Sequence, residues 1–135
     1  MIQLESRTLR GILRHSTLRF RERIALSTVD GDAVTFGRLG ELVDALSGVL
    51  HDKGIIPGDR VAILSENKPN WGIAFFAITT MGAIAVPILP DFHPNEVHHI
   101  LRHSESKALF VSKKLLGVLE DREFTLLATP HWTGW

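Results

Sequence analysis

Two periods of hydrophobicity alternate along this chain, and each change of period marks an element. Between residues 37 and 53 the apolar side chains Leu39, Leu42, Val43, Leu46, Val49 and Leu50 fall at i, i+3, i+4, i+7, i+10 and i+11. That is the stripe of an amphipathic helix, and Gly54 is placed to end it. Residues 61–64, Val-Ala-Ile-Leu, form a short apolar run between Pro57, Gly58 and Asp59 on one side and Ser65, Glu66 and Asn67 on the other. Such a run predicts a strand buried on both faces. Asn67 is expected to cap a following helix, with Pro69 in its first turn, where a missing N–H costs nothing. Residues 71–81 then give about three turns, closed by Gly82 in the left-handed conformation. A second apolar run at 83–89 follows at once, so 54–90 is expected to be a right-handed βαβ crossover with parallel strands. Its helix is apolar on nearly every side and should be buried.

The flanking segments extend this pattern. Leu9, Ile12, Leu13, Ser16 and Phe20 share one face of an amino-terminal helix, with Arg7, Arg10, Arg14, Arg19 and Arg21 outward as a solvated face. Residues 24–29 and 33–36 flank Asp30-Gly31-Asp32 and predict a β-hairpin. Beyond the crossover, 94–103 reads as a helix with Val97, Ile100 and Leu101 inward, and 108–111 as another buried strand. Residues 113–122 suggest a helix using Leu115, Leu116 and Leu119, and 124–127 a short strand, while 129–135 show no periodicity. The expected fold is α/β: parallel βαβ units formed by strands at 61–64, 85–88 and 108–111, with the helices at 37–53, 70–81 and 94–103 packed on the sheet, all preceded by a helix and a hairpin. No internal repeat or dividing linker is visible.

Composition narrows the function. A chain of 135 residues suits one domain or part of a larger one. Fifteen basic residues balance fifteen acidic ones, and no helix is expected to carry a one-signed stripe, which argues against nucleic acid or an anionic membrane as partner. The absence of cysteine excludes disulfides and thiolate metal sites and fits a reducing compartment. No secretory signal is expected at the amino terminus. Residues 69–90 hold no charge and would be long enough to cross a bilayer, but Asn70, Gly72, Thr79, Thr80, Gly82 and Pro87 favour a buried helix followed by a buried strand.

Candidate chemistry is sparse. Glu96 and His99 share a helical face and His103 lies one turn on, but a metal needs three or four convergent ligands, so a polar face reaching water is expected, His98 included. The glycines form neither a dinucleotide fingerprint nor a P-loop. Ser65 lies in no nucleophile elbow, Asp59 in Pro-Gly-Asp-Arg is expected to form a turn, and Lys113 and Lys114 to start a helix in solvent. No catalytic, cofactor-binding or metal-binding residue is assigned on these grounds.

An ordered series of short motifs adds to this. Thr35-Phe36-x-x-Leu39, Gly54-x-x-Pro57-Gly58-Asp59-Arg60-Val61-Ala62-Ile63, Asn67-x-x-x-Trp71 and Gly82-Ala83-x-x-Val86-Pro87 resemble the opening part of the adenylate-forming (AMP-binding) superfamily. The stretch from Ile88 to Glu105, with Pro90-Asp91-Phe92-His93-Pro94 and Glu96-Val97-His98-His99, is most similar to bacterial long-chain fatty-acid–CoA ligases. The resemblance spans residues 8–123. It departs at Phe36, where the family usually has Tyr, and in the tail. It implies an incomplete amino-terminal segment of an AMP-binding domain over 1–128, with an irregular tail at 129–135, and the remainder of that domain as its partner. For the intact enzyme it implies ATP, Mg²⁺ and coenzyme A: the fatty-acid carboxylate is adenylated, and the thiol then displaces AMP. The family's phosphate loop ending in Pro-Lys, its Tyr-Gly-x-Thr-Glu segment, its ribose-binding Asp and its carboxy-terminal Lys have no match here, so no site residue is carried over and this chain alone is expected to be inactive. The resemblance also implies a cytoplasmic protein, at most peripheral to a membrane. A non-catalytic interaction module on the same scaffold and a membrane-attached protein are the competing expectations.

Overall fold

A computed structural model describes residues 6–119. The elements are α1 (Leu9–Arg19), β1 (Ile24–Ser27), β2 (Ala33–Thr35), α2 (Phe36–Asp52), β3 (Arg60–Leu64), α3 (Pro69–Thr80), β4 (Ile84–Ile88), α4 (Pro94–Ser104), β5 (Ala108–Val111) and a 3-10 helix (Lys113–Leu119). The expected α/β architecture is present. β1 and β2 pair antiparallel, with a register irregularity between Ile24 and Leu26. β3 lies between β4 and β5 and runs parallel to both, with Ile63 opposite Pro87 and Phe110.

β3 shows why the sheet is the centre. Val61, Ala62, Ile63 and Leu64 have no exposed surface, and side-chain alternation divides them between two cores. Val61 and Ile63 join Leu39, Val43, Leu46, Ile73, Ala77 and Ile78 from α2 and α3. Ala62 and Leu64 join Ile88, Val97, Leu101 and Leu119 on the opposite face, under α4 and the 3-10 helix. The result is helix, sheet, helix in three layers.

The crossover from β3 to β4 is an interrupted unit, as the sequence predicts: among the described residues no helix is long and apolar enough to cross a membrane. α3 starts differently from expectation. Its N-cap is Lys68 (φ −136°, ψ 159°), which makes no side-chain capping bond, so Asn67 falls one residue too early. Pro69 explains this, because the residue before a proline is driven to extended backbone. The helix ends as expected at Gly82 (φ +88°), whose carbonyl accepts from the Gly58 amide at 2.9 Å. A Cβ at Gly82 would come within 3.2 Å of the Pro57 side chain, so this turn needs glycine for both its conformation and its contact.

Four expectations fail, three about helix faces and one about helix type. In α1 only Leu13 is buried, whereas Leu9 and Ile12 are 42% and 46% exposed. The helix touches α2 along a narrow seam where Gly40 lets Thr17 approach: a Cβ there would lie 3.0 Å from its Cγ2. α1 also contains Arg10, Arg14 and Arg19 and no acid, so its charge is one-signed after all. In α4, Val97 and Leu101 are buried and Ile100 is half-buried, but His98 is buried with them rather than facing water. Residues 113–119 form a 3-10 helix rather than the start of an α-helix, with the Leu115 amide bonded to the Ser112 carbonyl at 2.9 Å. Gly117 within so short a segment gives the wider helix little intrinsic support. The rest of that expected helix, the strand at 124–127 and the tail at 129–135 lie outside the described residues.

Candidate functional site

Parallel strands bring their carboxyl ends to one edge, and ligands of open α/β sheets bind where neighbouring connections leave in opposite directions. Here the chain leaves β3 through α3 toward one face and leaves β5 through the 3-10 helix toward the other. The crevice between these two strand ends is the candidate site. Its rim consists of Ser65, Glu66 and Lys68 after β3, and Ser112, Lys113 and Lys114 after β5.

The polar groups there are closely set and incompletely paired. Ser65 is 2% exposed, and its hydroxyl turns back to donate to the Glu66 carbonyl at 3.0 Å, so it is not presented as a nucleophile. Ser112 is fully buried; its amide is held by the Leu64 carbonyl at 3.0 Å, but its Oγ closes no hydrogen bond within ordinary distance. Glu66 Oε2 is likewise shielded and without a hydrogen bond, and Lys68 Nζ stands 3.8 Å from it, a loose ion pair. The adjacent Ser112 hydroxyl, then the Glu66 backbone amide, and more weakly Lys68 and Lys114, hold the Glu66 carboxyl below the ordinary carboxylate value in spite of burial. Glu66 is therefore a carboxylate held ionised beside the crevice, its Oε2 loosely faced by Lys68. Lys113 and Lys114 are exposed beside it, as expected.

Such a rim suits a donor or a cation. It does not suit a triphosphate on its own, because a carboxylate held ionised at the rim repels phosphate oxygens. ATP is not placed on these residues. Among the described residues there is no group of three His, Cys, Asp or Glu side chains able to hold a metal ion. His99 and His103 are exposed and stack on each other at 5.7 Å between ring centroids, while Glu96 is occupied in accepting the His93 amide at 2.8 Å. His98 points elsewhere, its Nε2 3.0 Å from the Val118 carbonyl, and so ties α4 to the 3-10 helix.

Asp59 lies at the other end of the sheet. Its Oδ2 accepts the Ile56 amide at 2.9 Å and its Oδ1 lies 2.6 Å from Lys107 Nζ. The Lys107 contact first, and the Ile56 amide second, hold its carboxyl below the ordinary value. This is a turn-former that also fastens β5. Sequence inspection singled out Asp59, Ser65 and the histidines and passed over Glu66 and Ser112. The signal was present: each begins or sits within a short polar run directly after an apolar strand, fully buried in β3 and half-buried in β5, one strand on each side of the crevice.

The comparisons with known proteins agree with this geometry. Residues 13–130 match the family described as AMP-binding enzyme. The chain is 34% identical over 124 residues to triostin synthetase I of Streptomyces triostinicus, covering 92% of this chain and 23% of that protein. It is 35% identical over 112 residues to the oxalate–CoA ligase of Arabidopsis thaliana, covering 82% and 22%. Among solved structures, a Mycobacterium tuberculosis fatty acyl CoA synthetase superposes with a TM-score of 0.78 at 27% identity over 83% of this chain and 22% of that one. These relatives differ in the substrates or products their names give, and the chain spans less than a quarter of the length of each. The three-layer fold is that of the amino-terminal region of adenylate-forming enzymes, and this chain belongs to the AMP-binding enzyme family.

Proposed function

We propose that this chain is the amino-terminal scaffold of an ATP-dependent long-chain fatty-acid–CoA ligase, an incomplete AMP-binding domain over residues 1–128. In the intact enzyme a fatty-acid carboxylate attacks the α-phosphate of ATP and releases pyrophosphate, and the coenzyme A thiol then displaces AMP. The observation that carries the family is the match over residues 13–130. The choice of substrate rests on the stretch from Ile88 to Glu105, which runs from the end of β4 through the His93–Glu96 capping box into α4 and resembles the fatty-acid ligases, with the M. tuberculosis synthetase as a structural neighbour. What these residues contribute is position: a rigid three-stranded sheet whose carboxyl edge presents the Glu66 and Ser112 rim to the rest of the domain. Both chemical steps need phosphate charge stabilised and reactants held in line, and groups of that kind are expected from the remainder of the polypeptide.

The test is ATP–pyrophosphate exchange by the intact polypeptide that contains these residues, with long-chain fatty acids, aryl acids and amino acids supplied separately. Exchange strongest with long-chain fatty acids, followed by acyl-CoA formation, is the expected result. Exchange confined to aryl or amino acids would retain the family and overturn the substrate. The 135-residue chain alone is expected to show no exchange above background.

A further inference from the structure

We propose that the outer edge of β5 is a pairing surface and that the chain's own residues 124–127 occupy it as a fourth, parallel strand. The first observation is a mismatch between what β5 is made of and how far it is covered. Ala108, Leu109, Phe110 and Val111 are all apolar, the make-up of an interior strand rather than of a sheet margin. Each is nevertheless only half-buried, whereas the residues opposite them in β3, Val61 to Leu64, have no exposed surface. Lys107 turns its amide inward to the Arg60 carbonyl at 2.8 Å, so by alternation the amides of Ala108 and Phe110 face away from β3.

The course of the chain names the occupant. From β3 to β4 the connection runs over the α3 face and moves to one side of the sheet; from β4 to β5 it runs over the α4 face and moves to the other side, past β3. Both crossovers therefore share one hand, and parallel connections are almost always right-handed. The 3-10 helix leaves β5 over the α4 face, with Leu119 packed in the same core as Ala62, Val97 and Leu101. A connection of the same hand on that face moves in the direction from β4 to β5, and so arrives at the outer edge of β5. Residues 120–123, Glu-Asp-Arg-Glu, have an ordinary length for a loop returning to a sheet, and residues 124–127, Phe-Thr-Leu-Leu, carry no charge. A strand in this place covers the half-buried flank of β5. Being parallel, it also ends on the carboxyl edge, and the polypeptide re-emerges beside Ser112 at the rim of the crevice.

The experiment is amide hydrogen exchange of the 135-residue chain followed by NMR. Ala108 and Phe110 should exchange as slowly as Leu109, whose amide faces β3. Successive amides of a strand point to opposite sides, so of Leu126→Pro and Leu127→Pro one removes a ladder bond to β5 and the other does not. One of the two should therefore speed exchange at Ala108 and Phe110 about ten-fold more than the other. Slow exchange at 61–64 in both variants checks that the sheet is intact. Fast exchange at Ala108 and Phe110 in the unsubstituted chain, or equal effects of the two prolines, would overturn the proposal. So would protection that is lost on dilution, which would place a second copy of the chain at this edge.

Discussion

The two ends of the β3–β5 pair are built from the same kinds of residue and solve opposite problems. At the amino end, Asp59 meets Lys107 at 2.6 Å, and Arg60 donates to the Ser104 carbonyl and the Glu105 carboxylate, both at 2.8 Å. Every carboxylate oxygen of Asp59 is used, and the turn out of α4 is held although Glu105 sits at φ +52°. At the carboxyl end, Glu66 and Ser112 keep buried atoms without hydrogen bonds, and the nearest cation stands back at 3.8 Å. A buried polar atom without a close partner is costly, so this end is held less tightly than the other. One end of the sheet is a fastening and the other a loosely paired polar rim.

The largest effect that sharpens this contrast comes from packing below the polar rim. Leu64, the last residue of β3, is fully buried, and Leu64→Ala should cost about 3 kcal/mol in urea unfolding. A loss near zero would mean that the whole carboxyl end is loose, not its polar rim alone. Next comes the fastening: Asp59→Ala should lower the unfolding midpoint more than Lys107→Met, because Asp59 also serves the Ile56 amide while Lys107 is half exposed and returns to water. The reverse order would break the assignment of Asp59 as the hub.

The third prediction concerns acid. Asp59 and Glu66 both have folded-state values below their unfolded ones, so each stabilises the fold above about pH 4 and loses that contribution as pH falls through the lowered value. Asp59→Asn and Glu66→Gln should each flatten the acid limb of stability, and their limbs should add, since the two sites are at opposite ends of the sheet. A pH profile unchanged in both would remove electrostatics from the comparison. The smallest effect is expected from Ser112→Ala: a loss of under about 1 kcal/mol at neutral pH and a shallower acid limb, because the hydroxyl is the main group that holds the Glu66 carboxyl down. An acid limb unchanged by Ser112→Ala would show that the hydroxyl does not act on Glu66.

The parts of the fold written in the periodicity of apolar residues were legible in the sequence. β3 was recoverable because four consecutive apolar residues between turn formers have few alternatives, and α2 because its stripe runs for about three turns. The misreadings share a cause: burial there is decided by a neighbour and not by the segment itself. Leu9 and Ile12 fit a helical stripe, yet the seam at Gly40 is narrow and leaves them exposed. His98 is polar by type, but the 3-10 helix that folds over α4 supplies a carbonyl at 3.0 Å and makes it interior. The crevice was hidden for a further reason: Glu66 and Ser112 are distant in the chain and meet only because β3 and β5 are adjacent and parallel.

Pro87 gives the sheet a direction of growth. Ile84 turns its amide inward to the Asp59 carbonyl at 2.8 Å, so by alternation Pro87 turns its nitrogen to the outer edge of β4, where it offers no hydrogen. A strand arriving on that side would find a gap in the ladder, whereas β5, at the opposite edge, has no proline and no charge between Ala108 and Val111. Among the described residues the two margins of the sheet therefore differ: a strand added beside β4 would miss one ladder bond at Pro87, and one added beside β5 would not.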